Sequence, residues 1–166
     1  MTLTHVYVKL AEIQVAQGAA IYSCVGLGSC MGVALFDPVS KIGGMAHVML
    51  PEVNDNDSRE RPGKYANTAI PSLLDTMERL GAERSRIIAA VAGGAQVCFG
   101  NSVPKMLALG SRNTVAVQKE LEHCGVRCVA SDVGGSQGRT FSFESGTGMV
   151  TVRTTTSADK VLCRLN

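Results

Sequence analysis

Residues 22–51 read YSCVGLGSCMGVALFDPVSKIGGMAHVMLP. Short apolar runs over 20–25, 31–36 and 42–50 are separated by the turn Gly26-Leu27-Gly28-Ser29 and by Asp37-Pro38, and the last run stops at Pro51. Runs this short, bounded by glycine and proline, predict buried strands rather than helices. Cys30 then sits directly behind a glycine-rich turn, and His47 lies inside the next extended run but one.

Outward from this stretch, 5–15 alternates loosely and predicts one or two further strands, closed by Gly18. Residues 52–63 (EVNDNDSRERPG) have loop composition and predict a surface loop able to act as a lid. From Lys64, residues Ala66, Ile70, Leu73, Leu74, Met77 and Leu80 recur at helical spacing up to Gly81, predicting a helix bent at Pro71. A buried-type strand follows over 87–92, then an irregular stretch over 97–109 with some helix. A second helix is predicted over 111–124, capped by Ser111 and ended by Gly125. Strands are predicted over 126–133, 139–144 and 148–153, the last two as a hairpin; beyond 154 no firm period is visible, and the last 12 or so residues are expected to fray. About eight strands and two main helices predict an α+β fold, a mixed β-sheet sandwich forming a single domain over residues 1–166.

Composition narrows the function. An apolar fraction of 45% beside 18% charged suits a water-soluble domain, and no run reaches the roughly 18–20 apolar residues of a membrane span. The first residues lack the features of a secretory signal, so a cytoplasmic location is expected. A net charge of +2, scattered basic residues and no Trp argue against nucleic acid as a partner. The six cysteines are read as free thiols, and His123, Cys124 and Cys128 lack the second ligand pair of a zinc site, so no structural zinc is expected.

Cysteine attacks carbonyl carbon as thiolate, formed when a histidine or a nest of backbone N–H groups favours the anion. The turn residues Gly26, Gly28 and Ser29 supply such N–H groups, which also suit the oxyanion of a tetrahedral intermediate. His47 is the candidate base and acid. The same residues admit plainer readings: cysteine is among the most buried side chains, and a histidine in an apolar strand is often a packed core residue. Gly26, Gly28 and Gly32 also approach a dinucleotide fingerprint, but the run that follows is short and β-rich rather than helical.

The blocks Gly26-Leu27-Gly28-Ser29-Cys30, Asp37-Pro38, Gly43-Gly44-Met45-Ala46-His47-Val48-Met49-Leu50-Pro51 and Pro62-Gly63-Lys64-Tyr65-Ala66 closely resemble the chemoreceptor glutamine deamidase family, CheD. Gly93-Gly94-Ala95, Gly110-Ser111-Arg112-Asn113 and Asp132-Val133-Gly134-Gly135 resemble further family blocks in the same order. The resemblance implies a protein-glutamine glutaminase that converts glutamine side chains to glutamate on the cytoplasmic helical bundle of methyl-accepting chemotaxis receptors, through a thioester and with release of ammonia. It implies Cys30 as nucleophile, His47 as acid and base, no cofactor, and the CheC phosphatase as a second protein partner. Where the family has a threonine completing a triad, this chain has Cys24, a poorer hydrogen-bond acceptor. A non-enzymatic adaptor that binds receptor or CheC through the same surface is the alternative.

Overall fold

The computed structural model describes residues 3–53, 61–96 and 108–166. Among these residues, ten strands and two α-helices follow one another as β1 (Thr4–Tyr7), β2 (Ile13–Gln17), β3 (Ala20–Leu27), β4 (Met31–Asp37), β5 (Ile42–Val48), α1 (Ala66–Arg79), β6 (Ile88–Gly93), α2 (Leu109–His123), β7 (Arg127–Val133), β8 (Arg139–Glu144), β9 (Met149–Thr154) and β10 (Lys160–Arg164). One five-stranded sheet has the order β1-β3-β8-β9-β10 and the other β2-β5-β4-β6-β7. Both sheets are mixed, because β1 pairs parallel to β3 and β7 parallel to β6.

The second sheet is covered on both faces, which explains why β4 and β5 are buried throughout. Met31, Val33, Leu35, Ile42, Ala46 and Val48 pack with the apolar stripe of α1 and with Val117 and Leu121 of α2. The alternate residues Ala34, Phe36 and Met45 face the first sheet, where they meet Tyr22, Phe141 and Phe143. Phe36 stands edge-on to Phe143 at 5.3 Å between ring centroids, the geometry favoured by ring quadrupoles. The α+β sandwich with two main helices expected from the sequence is thus present, with the helices forming a third layer.

Several details differ from the sequence reading. α2 begins at Leu109, two residues before Ser111, and has no side-chain cap. Residues 160–164 form β10, paired antiparallel with β9 across a register shift, in the stretch where no period was legible. Pro71 lies inside α1. Most of the expected lid over 52–63, and 97–107 of the irregular stretch, fall outside the described residues.

Candidate active site

β3 continues two residues beyond its predicted end, because Leu27 is a fully buried anchor between the sheets. A register shift between Cys24 and Leu27, with Gly26 at φ +69°, forms a bulge that bends the strand, and the chain reverses over 28–30. This loop is held by its carbonyls. Gly28 O accepts from Ala95 N–H at 2.8 Å and Cys30 O from Gly94 N–H at 2.9 Å. Ser29 O accepts from Asn113 Nδ2 at 2.9 Å. Among the described residues, the N–H groups of Gly28, Ser29 and Cys30 donate to nothing.

The pinning needs close backbone approach. A Cβ on Gly93 would collide with the Cys30 carbonyl, and one on Gly94 with Thr114 and the Gly110 carbonyl. Both glycines also have positive φ, +118° and +65°, where a side chain would be strained.

His47 is buried and pairs across the ladder with Gly32. Cys30, two residues before Gly32, is half-buried and packs with the inter-sheet cluster, on the side that Met45 and His47 also face. Cys30 thus ends the loop that leads into β4, one residue before the strand begins, and His47 lies on the neighbouring strand β5. No hydrogen bond joins their side chains among the described residues.

The imidazole is oriented by the main chain. His47 Nδ1 lies 3.0 Å from Val8 O. A carbonyl can only accept, so Nδ1 carries the proton and Nε2 keeps its lone pair. Val8 is placed by the crossover from β1 to β2, which is clamped to His47 through Ala11 N–H to His47 O at 3.0 Å and His47 N–H to Glu12 O at 3.1 Å. Ala11 adopts φ +64°, and Gly63 packs so closely on its carbonyl that a Cβ there would collide.

Cys24 is fully buried, and its thiol points at Met45 Sδ, 3.4 Å away. Burial, and then the neighbouring Cys30, drive its pKa far up. Burial also raises the Cys30 pKa. For His47, burial lowers the pKa, opposed by the Val8 carbonyl and the Glu12 carboxylate. The resting pair is thus a thiol and a neutral imidazole, the protonation states that general-base activation requires.

His47 opens onto a cleft of about 410 Å³ rimmed by Tyr7, Leu10, Val25 and Arg61. Tyr7, Leu10 and Val25 are 62%, 50% and 59% exposed, a cluster of apolar side chains left to solvent. A larger cavity of about 670 Å³ runs along α2 past Pro51 and Val115 and contains neither Cys30 nor His47. Among the described residues, no three His, Cys, Asp or Glu side chains gather as a metal site, and no helix is long and apolar enough to cross a membrane.

Two contributors were not assigned a role from the sequence. The Val8 carbonyl leaves no signal in a side-chain reading. Asn113 does leave one: it occupies the buried line of α2 with Val117 and Leu121, at four-residue spacing, where an apolar residue is expected.

The family model for CheD chemotactic sensory transduction matches residues 49–154. A probable chemoreceptor glutamine deamidase CheD of Desulforamulus reducens is 41% identical over 157 residues, 95% of each chain, an overlap that takes in Cys30 and His47. Proteins of the same description from Archaeoglobus fulgidus and Desulfitobacterium hafniense are 42% and 43% identical, covering 90% and 93% of this chain and 93% and 96% of their own.

Proposed function

This chain belongs to the CheD family, and from that premise we propose that it hydrolyses glutamine side-chain amides on methyl-accepting chemotaxis receptors, with Cys30 as nucleophile and His47 as acid and base. The observation that carries the reading is the loop at 28–30, whose carbonyls are all engaged while its N–H groups have no acceptor among the described residues, beside a half-buried thiol. An adaptor requires no such arrangement.

His47 Nε2 takes the Cys30 proton, and the thiolate attacks the amide carbon. The carbonyl oxygen becomes an oxyanion and rests on the N–H groups of Ser29 and Cys30. Collapse of the intermediate breaks the C–N bond as the imidazolium returns the proton to the leaving nitrogen, releasing ammonia and leaving a thioester. His47 then removes a proton from water; hydroxide attacks the thioester, the C–S bond breaks, and the thiolate is reprotonated. The net change is glutamine plus water to glutamate plus ammonia. The Val8 carbonyl plays the orienting part that a threonine hydroxyl has in the family pattern, so Cys24 needs no role in proton transfer.

Tyr7, Leu10 and Val25 rim the His47 cleft, whose lining does not include Cys30, and this apolar surface suits a protein substrate that would cover it while presenting the glutamine to the thiol. A CheC phosphatase, the second partner implied by the family, is proposed to compete for the same face. The test is ammonia release from a purified receptor fragment, with conversion of glutamine to glutamate mapped by mass spectrometry. Turnover by the wild type and none by Cys30→Ala supports the proposal. Binding without turnover by the wild type would leave the adaptor reading in its place.

A further inference from the structure

Asn113 is completely buried, and its amide nitrogen donates two hydrogen bonds, to Ser29 O and to Met49 O, each at 2.9 Å. One side chain thus joins the residue before Cys30 to the residue two beyond His47. Both partners are carbonyls, so the amide cannot be flipped without setting oxygen against oxygen. Its Oδ1 is buried with no partner among the described residues. A residue kept only for packing on this apolar helix face would not carry an unpaired acceptor into the core.

The consequence follows from peptide geometry. In a trans peptide the C=O of one residue and the N–H of the next point in opposite directions within one plane. Holding Ser29 O on Asn113 therefore aims the Cys30 N–H the other way, away from α2. The neighbouring N–H, of Ser29, is aimed in the same manner by the bond from Ala95 N–H to Gly28 O. Among the described residues, of the bonds pinning the three loop carbonyls only that from Asn113 comes from a side chain.

We infer that Asn113 is a positioning residue for the reaction: it aims the Cys30 N–H at the developing oxyanion and fixes the Cys30 loop relative to the end of the His47 strand. This rests on the deamidase reading proposed above. Loss of one oxyanion donor outright costs about 10²–10³ in kcat. A donor still present but no longer aimed should cost less, about 10- to 100-fold.

The experiment compares wild type, Asn113→Ala and Cys30→Ala in three measurements: deamidation kinetics on a receptor fragment, the rate of iodoacetamide alkylation at Cys30, and the melting transition. Alkylation forms no oxyanion and so reports the thiol alone. The expected result for Asn113→Ala is a kcat lower by about 10-fold or more, with KM and the Cys30 alkylation rate within about threefold of wild type. Unchanged kcat overturns the inference, and so does a kcat that falls only in step with the alkylation rate, which would mean general loosening. If the alanine variant does not melt cooperatively, Asn113→Leu, similar in size and without donors, is read the same way. Activity surviving in Cys30→Ala would overturn the deamidase reading instead, so the two failures are distinct.

Discussion

The Val8 carbonyl oxygen and His47 Nδ1 are 3.0 Å apart, so the backbone of the β1–β2 crossover sets the tautomer of the imidazole. Position 24 is released from that task. Cys24→Ala should leave the deamidation rate within about threefold of wild type and lower stability by about 1 kcal/mol through the small void beside Met45. Cys24→Thr should be no faster than wild type and should melt lower, since its hydroxyl enters an apolar site. A threonine variant that is faster by an order of magnitude would mean that the side chain, and not Val8, orients His47.

Activity should have an acid limb governed by His47. Only neutral imidazole can accept the thiol proton, and burial lowers its pKa, so the limb should lie below the ordinary histidine value of about 6.5. Rates rise as pH rises through that lowered value. Glu12 opposes the shift, and Glu12→Gln, which still accepts from Lys9 N–H, should move the limb further down. A limb well above 6.5 in the kcat profile would contradict the buried, neutral imidazole.

Replacing His47 should separate chemistry from recognition. His47→Ala is expected to lower kcat by about 10²–10⁴, the usual scale of general acid–base catalysis, while a receptor fragment binds within a few fold of wild type. Loss of both binding and the melting transition would assign the histidine to the core instead.

The apolar rim should govern substrate affinity. Leu10→Asp or Val25→Asp places charge where a partner surface is expected to dry the cleft, and should weaken binding of a receptor fragment about tenfold or more. The alkylation rate of Cys30 should not change. Unaltered KM in both variants would place the docking surface elsewhere.

Asp37 anchors the fold at the far end of β4. Its buried carboxylate accepts from Val39 N–H, Glu83 N–H and the Arg86 guanidinium at 2.9–3.2 Å. Burial opposes its ionised form, but Arg86 and the backbone donors outweigh that and hold its pKa well below the usual carboxylate range. The stabilisation is therefore present above the unfolded-state value near 3.9 and is lost as pH falls below it. Asp37→Asn should melt lower than wild type at neutral pH, and the difference should shrink in acid.

Much of this was legible because the runs at 31–36 and 42–50 are too short and too apolar for anything but strands covered on both faces. Cys30 and His47 stood out by residue type. The Val8 contact was hidden because a main-chain carbonyl has no letter of its own. β10 was hidden because its residues, from Lys160 to Arg164, alternate too weakly for a two-residue period and are selected by pairing with β9. The start of α2 departs from its sequence signal for the opposite reason: Ser111 has capping chemistry, but the helix starts upstream at Leu109, where Gly110 lies against the Gly94 and Ala95 carbonyls.

That contact of Gly110 with Gly94, and of Gly93 with the Cys30 carbonyl, bears on how genetic variation in this protein is to be interpreted. In a mutational scan scored by activity, alanine at any of the three would score beside Cys30 and His47, although none has a side chain able to move a proton or touch a substrate. A map of intolerant positions would draw the active site as a patch extending from the cleft to the start of α2. Sorting that map by soluble yield would pull the three glycines away from the proposed catalytic pair, because their loss injures the backbone first and the chemistry only as a result.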